Sequence, residues 1–507
     1  MHLPLTKWSK WHQFQRYRET EKHKREGTER ITNNQEKHDV HGGCTSNISM
    51  GGGSIKTPLL FQSKLLCLSL LYFLTTTIFS VYISFSHSSC LFTSLPTSQS
   101  HLPNTLLFSY PPSYGEHKYA IPSLHPSCSS PLLFPEYRVA VRDIHDVFKN
   151  FSLSSSSSLR YLTGNRDSFS GNFSTEKRRS FFSFEDDPLV KVPCGFLKEF
   201  PVKQSDKLEM ENCHGVVVAS VIFGDFDKIR QPKGLGMHSL QAVCFFMFVD
   251  DSTVRGLQIH KILTEKDEKN NKVGVWRIVR LPKKSMPYEN DAMNGVTVKH
   301  LIHRLFPNSK FSVWIDAKLQ LSVDPLLLIH SLLISKDVDM ALSKHPFNVH
   351  TMQEAMATAR WNKWRDVESL RLQMETYCKN GLQPWSPSKL PHTTDVPDTA
   401  LIIRRHGLAS NLFSCLLFNE LEAFNPRDQL AFAYVRDLMR PKIKINMFEV
   451  EVFEHIALEY RHNLKREGLN SKESAENDQQ IRMAYSVDIN GSGCERYLWK
   501  MWGESSD

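Results

Sequence analysis

The chain has 507 residues, 23% of them charged and 40% hydrophobic, with a formal net charge of +8. That length leaves room for more than one domain and a full core, and the composition is ordinary for a soluble enzyme. No basic stripe with interleaved aromatics appears in the folded part, which argues against nucleic-acid binding. The ten cysteines contain no CxxC pair, which removes zinc ribbons and thioredoxin-like sites.

Residues 1–64 are polar and basic (Lys7, Lys10, Arg16, Arg18, Lys22, Lys24, Arg25, Arg30) and lack the apolar periodicity needed to bury a face. They are predicted to be a disordered tail. Residues 65–85 then run uncharged, and about 20 apolar residues suffice to span a bilayer as a helix. A buried core helix is the plainer alternative, but the segment is apolar all round and its flanks offer nothing to pack against. It also begins too far from Met1 for a cleaved signal peptide. Lys56 and Lys64 precede it, and the next basic residue is Lys118. The excess of positive charge on the near side predicts a signal-anchor, with the tail cytosolic and the rest luminal or outside. In such an oxidising compartment Cys194 and Cys213 are candidates for a disulfide, two free buried thiols being the alternative. Sequons at Asn150, Asn172 and Asn490 are candidate glycan sites.

Residues 86–187 are rich in Ser and Pro and suit a luminal stem, within which 135–148 has the pattern of a folded piece. A globular domain is expected over 188–465. Strands are predicted at 216–223, 243–249, 275–281, 311–315, 339–342 and 399–403. Helices are predicted at 295–305, 325–335, 352–377, 412–422 and 427–437. The alternation implies an α/β fold with a mostly parallel sheet and flanking helices. Residues 466–507 are polar and read as a tail.

Two apolar strands end in acid. Val243–Val249 runs into Asp250 and Asp251, and Phe311–Ile315 runs into Asp316, followed by Lys318. Ligands of open α/β sheets sit beyond the carboxyl ends of the strands, so these residues are candidates for one site. Asp250, Asp251 and Asp316 could hold a divalent cation (Mn or Mg) that neutralises a leaving diphosphate. Alternatively, Lys318 supplies the fixed positive charge without metal. Asp250 and Asp251 could equally be caps of the next helix. The turn Gly224–Gly234 carries Asp227, Lys228, Arg230 and Lys233, suited to nucleotide contacts or simply to solvent. Asn419 and Glu420, then Arg427, Asp428 and Gln429, form a second polar cluster. Asp428 is either a general base or a helix-start acid paired with Arg427. His345, after a short strand, is a candidate catalyst or a loop hydrogen-bonding residue. No GxSxG, Walker loop or GxGxxG occurs, so serine-hydrolase, P-loop and dinucleotide readings lose their main support.

The segments VPCGF (192–196), DKIRQPKG (227–234), HRLFPNSKFSVWIDAK (303–318), SKHP (343–346), TDVPDTALIIRRH (394–406), NLFSCLLFNE (411–420) and RDQLAF (427–432) resemble a plant family of Golgi type II membrane proteins. That family has a glycosyltransferase-like domain and includes a hexosyltransferase of mucilage polysaccharide synthesis. The resemblance implies a glycosyltransferase A-like (Rossmann-like) sheet behind one transmembrane helix, in the Golgi membrane. It implies a nucleotide sugar and a glycan acceptor as partners. MATARWNKW (356–364) and MFEVEVFEH (447–455) are similar to an alkaline ceramidase of the same family, linked to turgor regulation, for which the partner is ceramide. An inactive scaffold of the same fold is the non-enzymatic alternative. The usual glycosyltransferase acid pair is Asp-any-Asp, whereas this chain reads Asp316-Ala317-Lys318, which leaves a metal-free mechanism open beside the metal-dependent one.

Overall fold

The computed structural model describes residues 64–86, 90–93, 128, 130–153, 159–164, 167–183, 191–263, 271–361 and 363–460. The chain divides into two units, Met1–Thr77 and Ile78–Asp507. Helix α1 (Lys64–Ser86) runs across that division, and its 23 residues make it about 34 Å long. Its described side chains, 68–81, are exposed except for half-buried Thr76. The hydroxyls of Thr75, Thr76 and Thr77 donate to carbonyls one turn back, so they are satisfied within the helix. Counted over the described residues, no helix is long and apolar enough to cross a membrane.

The second unit is organised by an eight-stranded sheet. Its strands in chain order are β1 (Val216–Ile222), β2 (Val243–Val249), β3 (Lys272–Val273), β4 (Trp276–Arg280), β5 (Phe311–Ile315), β6 (Met340–Lys344), β7 (Pro397–Arg405) and β8 (Ile445–Phe448). Their spatial order is β8-β6-β7-β5-β1-β2-β4-β3. β1, β2 and β5 are short apolar runs buried on both faces, the composition that central parallel strands require. The sheet is mixed rather than mostly parallel. β1–β2, β1–β5, β2–β4 and β6–β8 are parallel, while β3–β4, β5–β7 and β7–β6 are antiparallel. β7 causes most of the difference, because it inserts between β5 and β6 running the other way. Between β6 and β7 the register jumps from Leu342↔Ile402 to Ser343↔Asp398, a bulge that sets Thr399–Leu401 out of the pairing with β6, while Leu401 still pairs with Ile315 of β5.

The chain lays β1, β2 and β4 outward in one direction, then returns to place β5 on the other side of β1. The order therefore reverses between β1 and β5, which is where open α/β sheets bind ligands. Helices cover both faces. They include α2 (Tyr137–Leu153), α3 (Thr175–Ser180), α4 (Asp251–Ile259), α5 (Asp291–His300), α6 (Thr351–Arg360), α7 (Leu408–Ala423) and α8 (Asp428–Leu438). One core lies on the face lined by Val217 and Ala219, the other on the face of Val216 and Val218.

Two predicted helices are broken. The one expected over 295–305 ends at His300 and resumes at Ile302. The one expected over 352–377 stops at Arg360 and restarts at Val367, where Asp366 caps the Ser369 amide at 2.9 Å. Much of the Ser/Pro-rich stretch is part of the body rather than a free stem. α2 buries Ala140 and Ile144, and Phe134, Phe169, Phe181 and Phe182 are core residues. Residues 1–63 and 461–507, both expected as tails, lie outside the described residues.

The expected Cys194–Cys213 bridge is not formed. Cys194 pairs with Cys415 in α7, with Cα atoms 4.6 Å apart. Cys213 pairs with Cys244, 6.3 Å away. Proximity in sequence misleads here. Cys213 sits just before β1, next to the start of parallel β2, whereas Cys194 faces a helix more than two hundred residues downstream. A third bridge joins Cys90 to Cys128. Of the sequon residues, Asn172 is exposed. Asn150 falls in the last turn of α2, where side chains are not described, and Asn490 lies outside the described residues.

Candidate active site

Asp316 stands where β5 ends, at the point of strand reversal. Its amide donates to Ala400 O of β7 at 2.8 Å, which fixes the backbone. Its carboxylate accepts from Trp314 Nε1 at 2.7 Å, and Lys299 Nζ lies 3.8 Å away. The side chain keeps 31% of its surface exposed, so it faces the crevice. Lys318 is beside it, its ammonium 2.8 Å from Glu459. Burial pulls this ammonium down, but Glu459, Asp398 and Asp316 together hold it above the ordinary lysine value.

Behind Asp316 lies a buried charge relay. Lys299, at the end of α5, also pairs with Asp428 at 2.6 Å. Asp428 accepts from Thr399 Oγ1 at 2.8 Å and from His300 Nε2 at 3.3 Å. Arg404 approaches the other ring nitrogen of His300 at 3.4 Å. Burial holds His300 down to about 4, so the ring is neutral and Nε2 carries the proton. Burial pushes the Asp428 carboxyl up, but Lys299 and His300 hold it well below the usual carboxylate range. A carboxylate so firmly ionised, with both oxygens engaged, is a poor general base. Asp428 is indeed a helix-start acid, but its partner is Lys299 rather than Arg427.

Arg427 turns instead to Glu354 of α6, at 2.7 Å. The Glu354 side chain is fully buried and gathers Asn348 Nδ2 at 2.6 Å, Lys363 Nζ at 3.5 Å and His345 Nε2 at 3.5 Å. Burial raises its carboxyl, and Lys363, His345 and Arg427 more than offset that. His345 Nδ1 accepts the amides of Phe347 and Asn348 at 3.2 and 2.9 Å. The ring thus holds its loop, the second of the two roles expected for it. Lys363 is the exposed member of this group and feels the charge of Lys318. Two cations thereby face the crevice near Asp316 and Asp398.

The proposed metal triad does not assemble. Asp250 and Asp251 follow β2 and Asp316 follows β5, with β1 between, so the two ends are roughly 10 Å apart. The oxygens of Asp250 are also taken. It caps α4, accepting from Thr253 N at 2.9 Å, Thr253 Oγ1 at 2.6 Å, Gly224 N at 3.0 Å and the Ser252 hydroxyl. Asp251 pairs with Arg280 at 2.6 Å. These residues do not fit a divalent cation held jointly with Asp316.

The loop after β1 leaves the strand through positive φ at Gly224 (+71°) and Asp225 (+58°). Asp227 is buried, Lys228 half-buried and Lys233 exposed. The Arg230 guanidinium lies 3.4 Å from the centroid of the Tyr460 ring, and its carbonyl accepts from Trp276 Nε1 at 2.8 Å. The loop is pinned beside a small sheet of Leu319–Leu321 and Ala457–Glu459, with Lys233 N donating to Leu321 O. Of the second polar cluster, Gln429 is half-buried at the start of α8. Asn419 and Glu420 are not site residues. Both are buried inside α7, and Glu420 pairs with Arg178 of α3 at 2.9 Å.

Sequence reasoning missed Lys299, Glu354, Lys363, Asp398, Thr399 and Glu459. Lys299 and Glu354 fall inside the predicted helices 295–305 and 352–377, where nothing in the sequence separates them from ordinary polar helix residues. Only Asp398 and Thr399 had a signal, as polar residues opening an apolar strand.

The glycosyltransferase-like domain model of the TOD1/MUCI70 family matches residues 154–462. The chain belongs to this family. In Arabidopsis thaliana it is 54% identical over 462 residues to a protein named alkaline ceramidase TOD1, covering 89% of this chain and 98% of that one. It is 36% identical over 355 residues to probable hexosyltransferase MUCI70 of the same plant, covering 67% of this chain and 59% of that protein. The apo structure of mouse xyloside xylosyltransferase 1 overlaps 46% of this chain and 85% of its own. Its TM-score of 0.26 and 6% identity are too low to bear on the site. The TOD1/MUCI70 match spans every residue of the crevice described above and begins inside the stretch expected to be a stem.

Proposed function

We propose that the chain is a hexosyltransferase moving a sugar from a nucleotide sugar to a glycan or other acceptor. The observation that carries this reading is the reversal of strand order between β1 and β5, with Asp316 and Lys318 placed at it. In this mechanism Lys318 and Lys363 face the leaving diphosphate as fixed positive charges, doing without a metal what a divalent cation does elsewhere. Asp316 and Asp398 orient the sugar and the attacking hydroxyl as hydrogen-bond acceptors. Lys299, 3.8 Å away, keeps Asp316 aimed. The loop after β1, with Arg230 on Tyr460, contacts the nucleotide.

A second reading is amide hydrolysis of ceramide to a sphingoid base and a fatty acid. One finding favours it: the 54% identical relative bears the ceramidase name. We further infer a Golgi type II topology, with α1 as anchor and the domain in the lumen. The uncharged run of α1 supports this, as do three disulfides, which persist in oxidising compartments.

The deciding experiment gives the purified full-length chain a panel of nucleotide hexoses with glycan acceptors and, separately, ceramides, with and without a chelator. Sugar transfer that survives chelation is expected. Release of fatty acid with no sugar transfer moves the same crevice to the second reading. Turnover of neither leaves an inactive scaffold. Protease added to sealed Golgi vesicles should remove only the N-terminal tail; digestion of 188–460 would sink the topology.

A further inference from the structure

Three side chains within segments that carry the family resemblance take no part in the crevice, yet they meet inside the molecule. Cys194 lies in VPCGF, His303 opens HRLFPNS, and Cys415 lies in NLFSC within α7. All three side chains are buried. His303 Nε2 is 3.2 Å from Cys194 Sγ and 3.6 Å from Cys415 Sγ, and the three donor atoms lie within 4.8 Å of one another. The two cysteines are joined as a disulfide. Among the described residues this is the one place where three side chains of metal-ligating type converge.

The chemistry of the set is specific. Two thiolates and an imidazole are soft to borderline ligands, which select zinc-class ions over calcium or magnesium. The His303 ring is buried, and its Nε2 is the ring nitrogen within reach of both sulfur atoms. A disulfide gives its Nε2 only weakly interacting sulfur as company. Two thiolates would give the same nitrogen a shared ion.

We propose that Cys194, Cys415 and His303 form a redox-gated site for a single thiophilic cation of the zinc class, closed by the disulfide and opened by its reduction. Reduction by a dithiol adds two electrons and two protons to the bridge, leaving two thiols, while the reductant closes to its own disulfide. Ion binding then releases both thiol protons. Three protein donors leave one coordination position for water or a small thiol. Either state ties the segment after Val192 to α7, so the site exchanges a covalent staple for a coordinate one. This inference is independent of which substrate the crevice takes.

The test uses the full chain, reduced with a phosphine, desalted without oxygen and titrated with Zn²⁺ or with Co²⁺ as a coloured substitute. One ion per chain is expected, with thiolate-to-cobalt absorption. The oxidised protein, Cys415→Ser and His303→Gln should each lose that binding. Reduced wild type that binds no ion overturns the proposal, as does binding that is unchanged in Cys415→Ser. Should the variants fail to fold, alkylation mapping of the reduced wild type decides. One equivalent of Zn²⁺ should slow modification of Cys194 and Cys415 by at least about tenfold. Equal rates with and without Zn²⁺ would refute the site.

Discussion

Asp316 and Glu420 are both carboxylates with a cationic neighbour, but their surroundings assign them different work. Asp316 keeps part of its surface in the crevice, and Lys299 retains Asp428 when Asp316 loses its charge. Asp316→Asn should therefore melt within about a degree or two of wild type. Its turnover should fall on the order of a hundredfold or more if the site stabilises charge developing in the transition state. Full activity in this variant removes Asp316 from the mechanism. Glu420, at 1% exposure, has Arg178 as its one ion-pair partner among the described residues. Arg178→Met strands it, at a cost of about 3–5 kcal/mol, or on the order of 10 °C in melting temperature. Activity per folded molecule should not change. A variant that melts normally but has lost turnover would return Glu420 to the site.

The bridges are the clearest element-scale test. Non-reducing peptide mapping should find Cys194 with Cys415, Cys213 with Cys244 and Cys90 with Cys128; any Cys194–Cys213 peptide would contradict the fold. Opening Cys213–Cys244, separated by 31 residues, should cost roughly 3–4 kcal/mol by loop entropy. β1, β2 and β5 were legible because each is a largely apolar run, and β5 marked the candidate site by ending in Asp316. The direction of β7 was not legible, since an apolar strand reads the same either way. Nor were the pairings of Asp428 with Lys299, Glu354 with Arg427 and Cys194 with Cys415, whose partners lie far off in sequence. Phe134 and Phe169 were hidden by the Ser/Pro-rich composition around them, whereas 135–148 already read as a folded piece, where the spacing of Tyr137, Ala140 and Ile144 marks one helix face.

For the molecule as a whole, buried neutral histidine sets the response to acid. His300 titrates near 6.5 in an unfolded chain and is held to about 4 in the fold, by burial above all. Between those values the unfolded chain binds a proton that the folded one does not. Stability is therefore flat above about pH 6.5 and falls as pH drops towards 4, by up to about 3 kcal/mol for this group. Asp428, held below its ordinary range, adds a loss of the same sign at lower pH, below about 4. Melting temperature should follow that profile, and His300→Gln should reduce the fall on its upper limb, with His392 and His406, also held down chiefly by burial, supplying part of the remainder. A melting temperature that rises on acidification from 6.5 to 4 would contradict this account.

The bulge in β7 also gives the crevice a reporter. Where Thr399–Leu401 leave the pairing with β6, the Ala400 amide donates to the Asp398 carboxylate at 2.9 Å rather than to a neighbouring strand. Its protection from solvent deuterium therefore depends on where one side chain of the site points. A substrate that draws Asp398 towards itself should speed exchange at Ala400 while leaving Ile402 and Ile403, two and three residues along the same strand, unchanged. Occupancy of the crevice could then be followed at a single backbone position, with no label and no knowledge of the product.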